Sequence, residues 1–228
     1  MPLPSRMPAP DLIPRHVLYL HGFASSPQST KVGYFRDRLR EHGVELRAPD
    51  FNQPDFATLT LTRMLDQLGA ELTALDGAPA TLFGSSLGGT LAILAAARFA
   101  AHVDRLVLMA PAVMFAKPGH HLLPPERVDE WRRRGSLPFF HYADNAEREL
   151  NVAFYDDSQR YDAFNAVVRQ PALIFQGLHD ASVDHRTVEA FATPRPNVTL
   201  SLLNDDHQLI ASLPRMWNDV RAFLELDE

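Results

Sequence analysis

The sequence predicts an α/β protein: a mostly parallel sheet of about six strands, helices on both faces, and one cap-like insertion. Three observations predict it. Short apolar runs recur along the chain and alternate with helical patterns. The runs are continuously apolar, as strands covered on both faces must be. One long interval, residues 111–165, breaks that rhythm with proline, histidine, aromatic and charged residues.

The elements follow in order. The opening 15 residues are proline-rich and read as a flexible tail, with the domain occupying 16–228. "HVLYL" (16–20) is the first strand. In "STKVGYFRDRLREHG", Val32, Phe35 and Leu39 fall on one helical stripe and Gly43 can stop the helix at its C′ position. "VELRAP" (44–49) is the next strand. Asp55 can cap a helix in which Leu61, Leu65, Leu68, Leu72 and Leu75 recur at helical spacing. "ATLFG" (80–84) leads into a segment apolar nearly all round, which predicts a buried helix. "RLVLMA" (105–110), "PALIFQ" (171–176) and "NVTLSLL" (197–203) complete the strands. Asp184 caps the helix "HRTVEAFA", and Met216, Val220, Phe223 and Leu224 mark the last amphipathic helix.

Composition narrows the function classes. A chain of 228 residues with 46% hydrophobic and 22% charged residues suits a single domain with a real core. A formal net charge of −6 argues against nucleic acid as partner. The run Arg132-Arg133-Arg134 reads as a solvated helix face. With no cysteine, the chain has neither disulfides nor a thiolate nucleophile. No signal-peptide core and no membrane-length apolar run occur, so a cytoplasmic protein without membrane contact is expected.

The chemistry concentrates at "ATLFGSSLGGT". Gly84-Ser85-Ser86-Leu87-Gly88 has the form Gly-x-Ser-x-Gly between a strand and a helix, the nucleophile-elbow pattern. Such a turn lifts the serine hydroxyl above the sheet and brings the two backbones so close that only glycine fits two residues either side. Gly84 and Gly88 satisfy this around Ser86, whereas Ser85 would be flanked by Phe83 and Leu87. Ser86 is therefore the nucleophile candidate. A serine hydroxyl needs a base, itself oriented by a carboxylate, in the chain order Ser, acid, His. His207 follows the last strand and is the base candidate. Asp180, just past the preceding strand, is the preferred acid over the helix cap Asp184; Asp205 and Asp206 read as loop charges. The oxyanion hole should use the backbone N–H of Leu87 and one from the loop "LHGFASSPQSTK", best placed at Phe23. His21 is expected to hold that loop, and Lys31 either helps hold it or only starts a helix. His120 and His121 lack the further ligands of a metal site and read as a solvated loop.

"LYLHGFASSPQSTK", "GSSLGGT", "GLHDASVD" and "DDHQL" together resemble an α/β-hydrolase, most similar to the small bacterial YqiA-like esterases, over about residues 16 to 225. The resemblance is weakest in the interval 111–165. It implies the α/β-hydrolase fold, Ser86, Asp180 and His207 as triad, and Phe23 and Leu87 as oxyanion donors. It implies hydrolysis of small-molecule carboxylic esters or thioesters, with no metal and no organic cofactor. A serine peptidase would use the same triad, and a non-catalytic binding protein of that fold would not need it. The aromatic insertion is expected to cover the serine, with Trp131 and Phe140 among the pocket-wall candidates.

Overall fold

The computed structural model describes residues 16–226 apart from 76, 118, 119, 121 and 122. The expected tail at 1–15, and His121, lie outside the described residues. The first half of the chain builds β1 (Val17–Leu20), α1 (Thr30–Glu41), β2 (Leu46–Arg47), α2 (Leu61–Thr73), β3 (Ala80–Ser85), α3 (Leu87–Arg98) and β4 (Val103–Met109). The insertion supplies α4 (Pro125–Arg134), the strands β5 (Ser136–His141) and β6 (Ala146–Asn151), and α5 (Ala153–Ser158). The chain then completes the sheet with β7 (Ala172–Gly177), α6 (His185–Ala192), β8 (Val198–Leu203) and α7 (Leu213–Phe223).

Six strands form one sheet in the order β2-β1-β3-β4-β7-β8, and every neighbouring pair is parallel. Parallel strands return through crossover helices, so both faces are covered and every core strand is apolar on both sides. In β1, Leu18 and Leu20 enter one core with α2 and α3, while Val17 and Tyr19 enter the other with α1 and α7. That two-residue alternation makes "VLYL" buried along its length. Fully burying each such side chain stabilises by about 1.5–3 kcal/mol, so the β1–β3–β4 centre is the rigid base of the molecule.

Three local expectations change. The strand expected over 44–49 shrinks to Leu46–Arg47, at the sheet edge. Asp55 does not cap α2: Thr60 is the N-cap and accepts from the Arg63 N–H at 3.1 Å. Asp55 instead accepts the N–H groups of Ala57 and Thr58, closing a separate turn. The third change is the insertion, which carries a helix, a β-hairpin and a second helix. Gly43 behaves as expected, with φ of 73° just past the α1 C-cap.

The buried side chains of the insertion join the core on the α2–α3 side of the sheet. Trp131 is fully buried, stacks near Phe139 and Tyr155, and donates its indole N–H to the Leu150 carbonyl at 2.7 Å. α4 was illegible because only Val128 and Trp131 among "PERVDEWRRR" are buried. The hairpin was hidden by Pro138 in β5 and by the charged sequence "AERELN" of β6. Among the described residues no helix is long and apolar enough to cross a membrane.

Candidate active site

Ser86 sits between the end of β3 and the start of α3 with φ of 54° and ψ of −116°. A side chain is strained there, and the surroundings hold it in place. The Ser86 N–H donates to the Met109 carbonyl, while its carbonyl accepts from the N–H groups of Gly89, Thr90 and Ala112. A Cβ on Gly84 would stand 2.5 Å from the Gly88 carbonyl oxygen, and one on Gly88 would run into the backbone of Leu20 and His21. Both glycines are required by close approach. Ser85 points the other way, buried beside the Tyr19 phenol on the opposite core.

The folded chain brings the three sequence-predicted side chains together. His207 Nε2 lies 3.1 Å from Ser86 Oγ, and His207 Nδ1 lies 2.8 Å from Asp180 Oδ2. The tautomer consistent with this network carries its proton on Nδ1 and leaves Nε2 free to accept from the serine. The Asp180 side chain is closed off from solvent. Its Oδ1 accepts the N–H groups of Ser182 and Val183, both at 2.8 Å, and its Oδ2 also accepts the Gln176 side-chain amide at 3.0 Å. Burial raises the Asp180 pKa, but hydrogen bonds from His207, Val183 and Ser182 and the His207 charge outweigh it. The carboxyl is left below its ordinary value and stays ionised beside the imidazole.

Two supporting residues have structural roles that the sequence reading did not assign, although the glycine of the pattern Gly177-x-x-Asp180-x-x-Val183 helps point to Asp180. Gln176, at the end of β7, is fully buried and fixes Asp180 from behind. Gly177 is the second. A Cβ there would stand 2.5 Å from the Asp206 carbonyl oxygen and 2.6 Å from that of Asp205, so only glycine lets the His207 loop lie against β7. The signal for both was "FQGLHD", whose glycine ends a strand. Asp184 caps α6 by accepting from the Arg186 N–H, as expected. Asp205 and Asp206 are loop charges, as expected, accepting from the backbone of Ser212 and Gln208.

The expected oxyanion donors both border the same cleft as Ser86. Leu87 is the first residue of α3, so its N–H has no partner within the helix and lies at the positive end of the helix dipole. Phe23 owes its orientation to the other end of its peptide. The Gly22 carbonyl accepts from His21 Nδ1 at 2.9 Å and from the Ser25 N–H at 3.2 Å. In a trans peptide the N–H points opposite to the carbonyl, so these two bonds set the direction of the Phe23 N–H. His21 in turn accepts from the Phe51 N–H at 3.1 Å and is buried, which makes it a holder of this loop.

The cleft at Ser86 has a volume of about 360 Å³. Phe23, Met114, Phe115 and Val183 give it an apolar wall, and Ser182 and Thr187 add hydroxyls. Trp131 and Phe140 do not border it. Trp131 is buried in the core that the insertion shares with the α2–α3 side of the sheet, and Phe140 is about half exposed. His120 is exposed on a loop, as expected, and also borders the cleft. Among the described residues no group of three His, Asp or Glu side chains is arranged to hold a metal ion.

A parallel sheet carrying a glycine-flanked serine on a strand-to-helix turn, with an acid and a histidine from the loops after its last two strands, defines an α/β-hydrolase. The chain belongs to the uncharacterised protein family UPF0227, the YqiA-like family, whose model matches residues 16–225. No curated protein matches the sequence. Among solved structures, a candidate hydrolase from Agrobacterium vitis S4 is similar at 26% identity and a TM-score of 0.81, covering 96% of this chain and 91% of that one. Est1E from Butyrivibrio proteoclasticus with ferulic acid bound is similar at 23% identity and 0.80, covering 94% and 90%. The α/β hydrolase domain-containing protein 10 from mouse is similar at 20% identity and 0.77, covering 92% and 89%.

Proposed function

We propose that the protein is a serine hydrolase that cleaves carboxylic esters or thioesters of small or medium acyl groups through an acyl-serine intermediate. The observation that carries this is the continuous hydrogen-bonded line from Ser86 through His207 to Asp180, opening onto an apolar cleft. Ser86 Oγ attacks the acyl carbon while His207 Nε2 takes its proton. Asp180 holds the imidazole and stabilises the imidazolium that forms. Negative charge developing on the acyl oxygen is met by the N–H groups of Phe23 and Leu87. His207 then protonates the departing alkoxide or thiolate, and water, deprotonated by His207, releases the acid and regenerates Ser86.

The insertion contributes to substrate choice through its first residues. Met114 and Phe115 border the cleft, while Phe139 and Phe154 pack against the Phe23 ring with centroids 5.5 and 5.3 Å away. Treatment with a fluorophosphonate probe, followed by turnover of p-nitrophenyl esters, tests the function. Labelling confined to Ser86 together with ester turnover is the expected result. A folded protein that remains unlabelled and inactive would overturn the proposal.

A further inference from the structure

Lys31 is a lysine in a costly place. It occupies the first turn of α1, where the helix dipole disfavours a cation, and its residue is 8% exposed. Burial pushes its pKa down to about 8, against the pull of Asp180, then Asp206, then Asp205. A lysine retained only to fill space would be better replaced by an apolar side chain of similar length. What it touches explains its position. Lys31 Nζ donates to the Gln208 carbonyl at 3.0 Å, one residue after His207. The carboxylates that act on it come from the loop after β7 and the loop after β8, which supply the acid and the histidine.

We propose that Lys31 is a positioning residue whose charged ammonium clamps the 205–208 loop and so keeps His207 Nε2 on Ser86 Oγ. The inference rests on the serine-hydrolase reading above. Besides local bonds from Gln208 N–H to Asp206 and from Ser212 N–H to Asp205, the loop is tied to the loop after β7 by the His179 N–H on the Asp205 carbonyl and by His207 on Asp180. None of these bonds holds the Gln208 carbonyl that Lys31 reaches. The ammonium bridges it to α1, while Gly177 lets it press against β7. Deprotonation of Lys31 removes its attraction to the three carboxylates and loosens the clamp.

The test measures the rate of fluorophosphonate labelling from pH 6 to pH 10, alongside thermal unfolding, for the wild type and Lys31→Met. Wild-type labelling should fall as pH rises past about 8, where Lys31 loses its charge. Lys31→Met should label roughly tenfold or more slowly at pH 7, since small misplacements of a reacting group can cost about 100-fold, and should show no fall near pH 8. The sign of the stability effect is the opposite of a structural lysine's. A lowered folded-state pKa means the charged form costs the folded state free energy, fully below about 8 and no longer above the ordinary 10.5. Methionine escapes that cost, so the variant should unfold at or above the wild-type temperature at pH 7. A methionine variant that labels at the wild-type rate, keeps the fall near pH 8, or unfolds well below the wild type would overturn the inference. A wild type that is never labelled, or that labels equally after Ser86→Ala, would instead overturn the hydrolase reading.

Discussion

His207 Nε2 lies 3.1 Å from Ser86 Oγ across a sequence separation of 121 residues. The contact closes because β3 and β8 run parallel in one sheet with β4 and β7 between them. The loop after β3 that carries Ser86 and the loop after β8 that carries His207 therefore emerge at the same edge of the sheet. Strands in register deliver loops to one place, and this is where α/β sheets gather their functional residues.

Ser86→Ala should leave the fold intact and abolish ester turnover and probe labelling, while Ser85→Ala should retain most of both. Only Ser86 borders the cleft; Ser85 is buried against the other core. Turnover and thermal unfolding measured on both variants check this, and equal loss in two folded variants would place the nucleophile wrongly.

Asp180→Asn should reduce kcat far more than Asp184→Asn. Replacing the orienting carboxylate of such a triad can cost about 10⁴-fold, the figure known from the serine-protease case. Asp184 only caps α6, and its loss should cost about 1 kcal/mol of stability with little change in kcat. An inactive Asp184 variant beside an active Asp180 variant would reverse the assignment.

Gly177→Ala should lower turnover out of proportion to its effect on stability. The added methyl meets the backbone oxygens of Asp205 and Asp206, which cannot swing aside as a side chain would. The His207 loop has to lift, and lengthening the His207–Ser86 contact slows proton transfer. Comparing labelling rate with unfolding temperature separates the two effects. Unchanged labelling in the folded variant would show that the loop relaxes without cost to the site.

Shrinking the cleft wall should move acyl preference. Each buried methylene is worth about 0.8 kcal/mol, so kcat/KM should rise along a p-nitrophenyl ester series until the chain meets the wall. Phe115→Ala should move that optimum to longer chains. Phe140→Ala should not, because Phe140 projects from the hairpin beside Tyr142 rather than into the cleft. An optimum moved by Phe140→Ala and untouched by Phe115→Ala would mean that the hairpin tip reaches the substrate.

The order of sheet elements was legible because burial on both faces leaves an unbroken apolar run, and such runs name their own strands. Ser86 and its two glycines were legible because the demand is local: five residues must satisfy one tight turn, and the residue types record it. The insertion was not legible. Its helix shows only two buried positions, its hairpin carries a proline and charges, and both are stabilised by contacts such as Trp131 with Leu150 that no local pattern announces. For the same reason Trp131 looked like a pocket wall, though it packs into the core on the α2–α3 side of the sheet.

What the sequence determined by itself was therefore the strand–helix alternation and the glycine-flanked turn at Ser86, both consequences of short-range pattern. The tertiary structure decided which aromatics face the cleft, that Gln176 supports Asp180, and that Lys31 reaches across to the histidine loop. Those facts depend on distances between residues far apart in the chain, 177 positions in the case of Lys31 and Gln208. Packing sets such distances, and residue order along a single element carries no record of them.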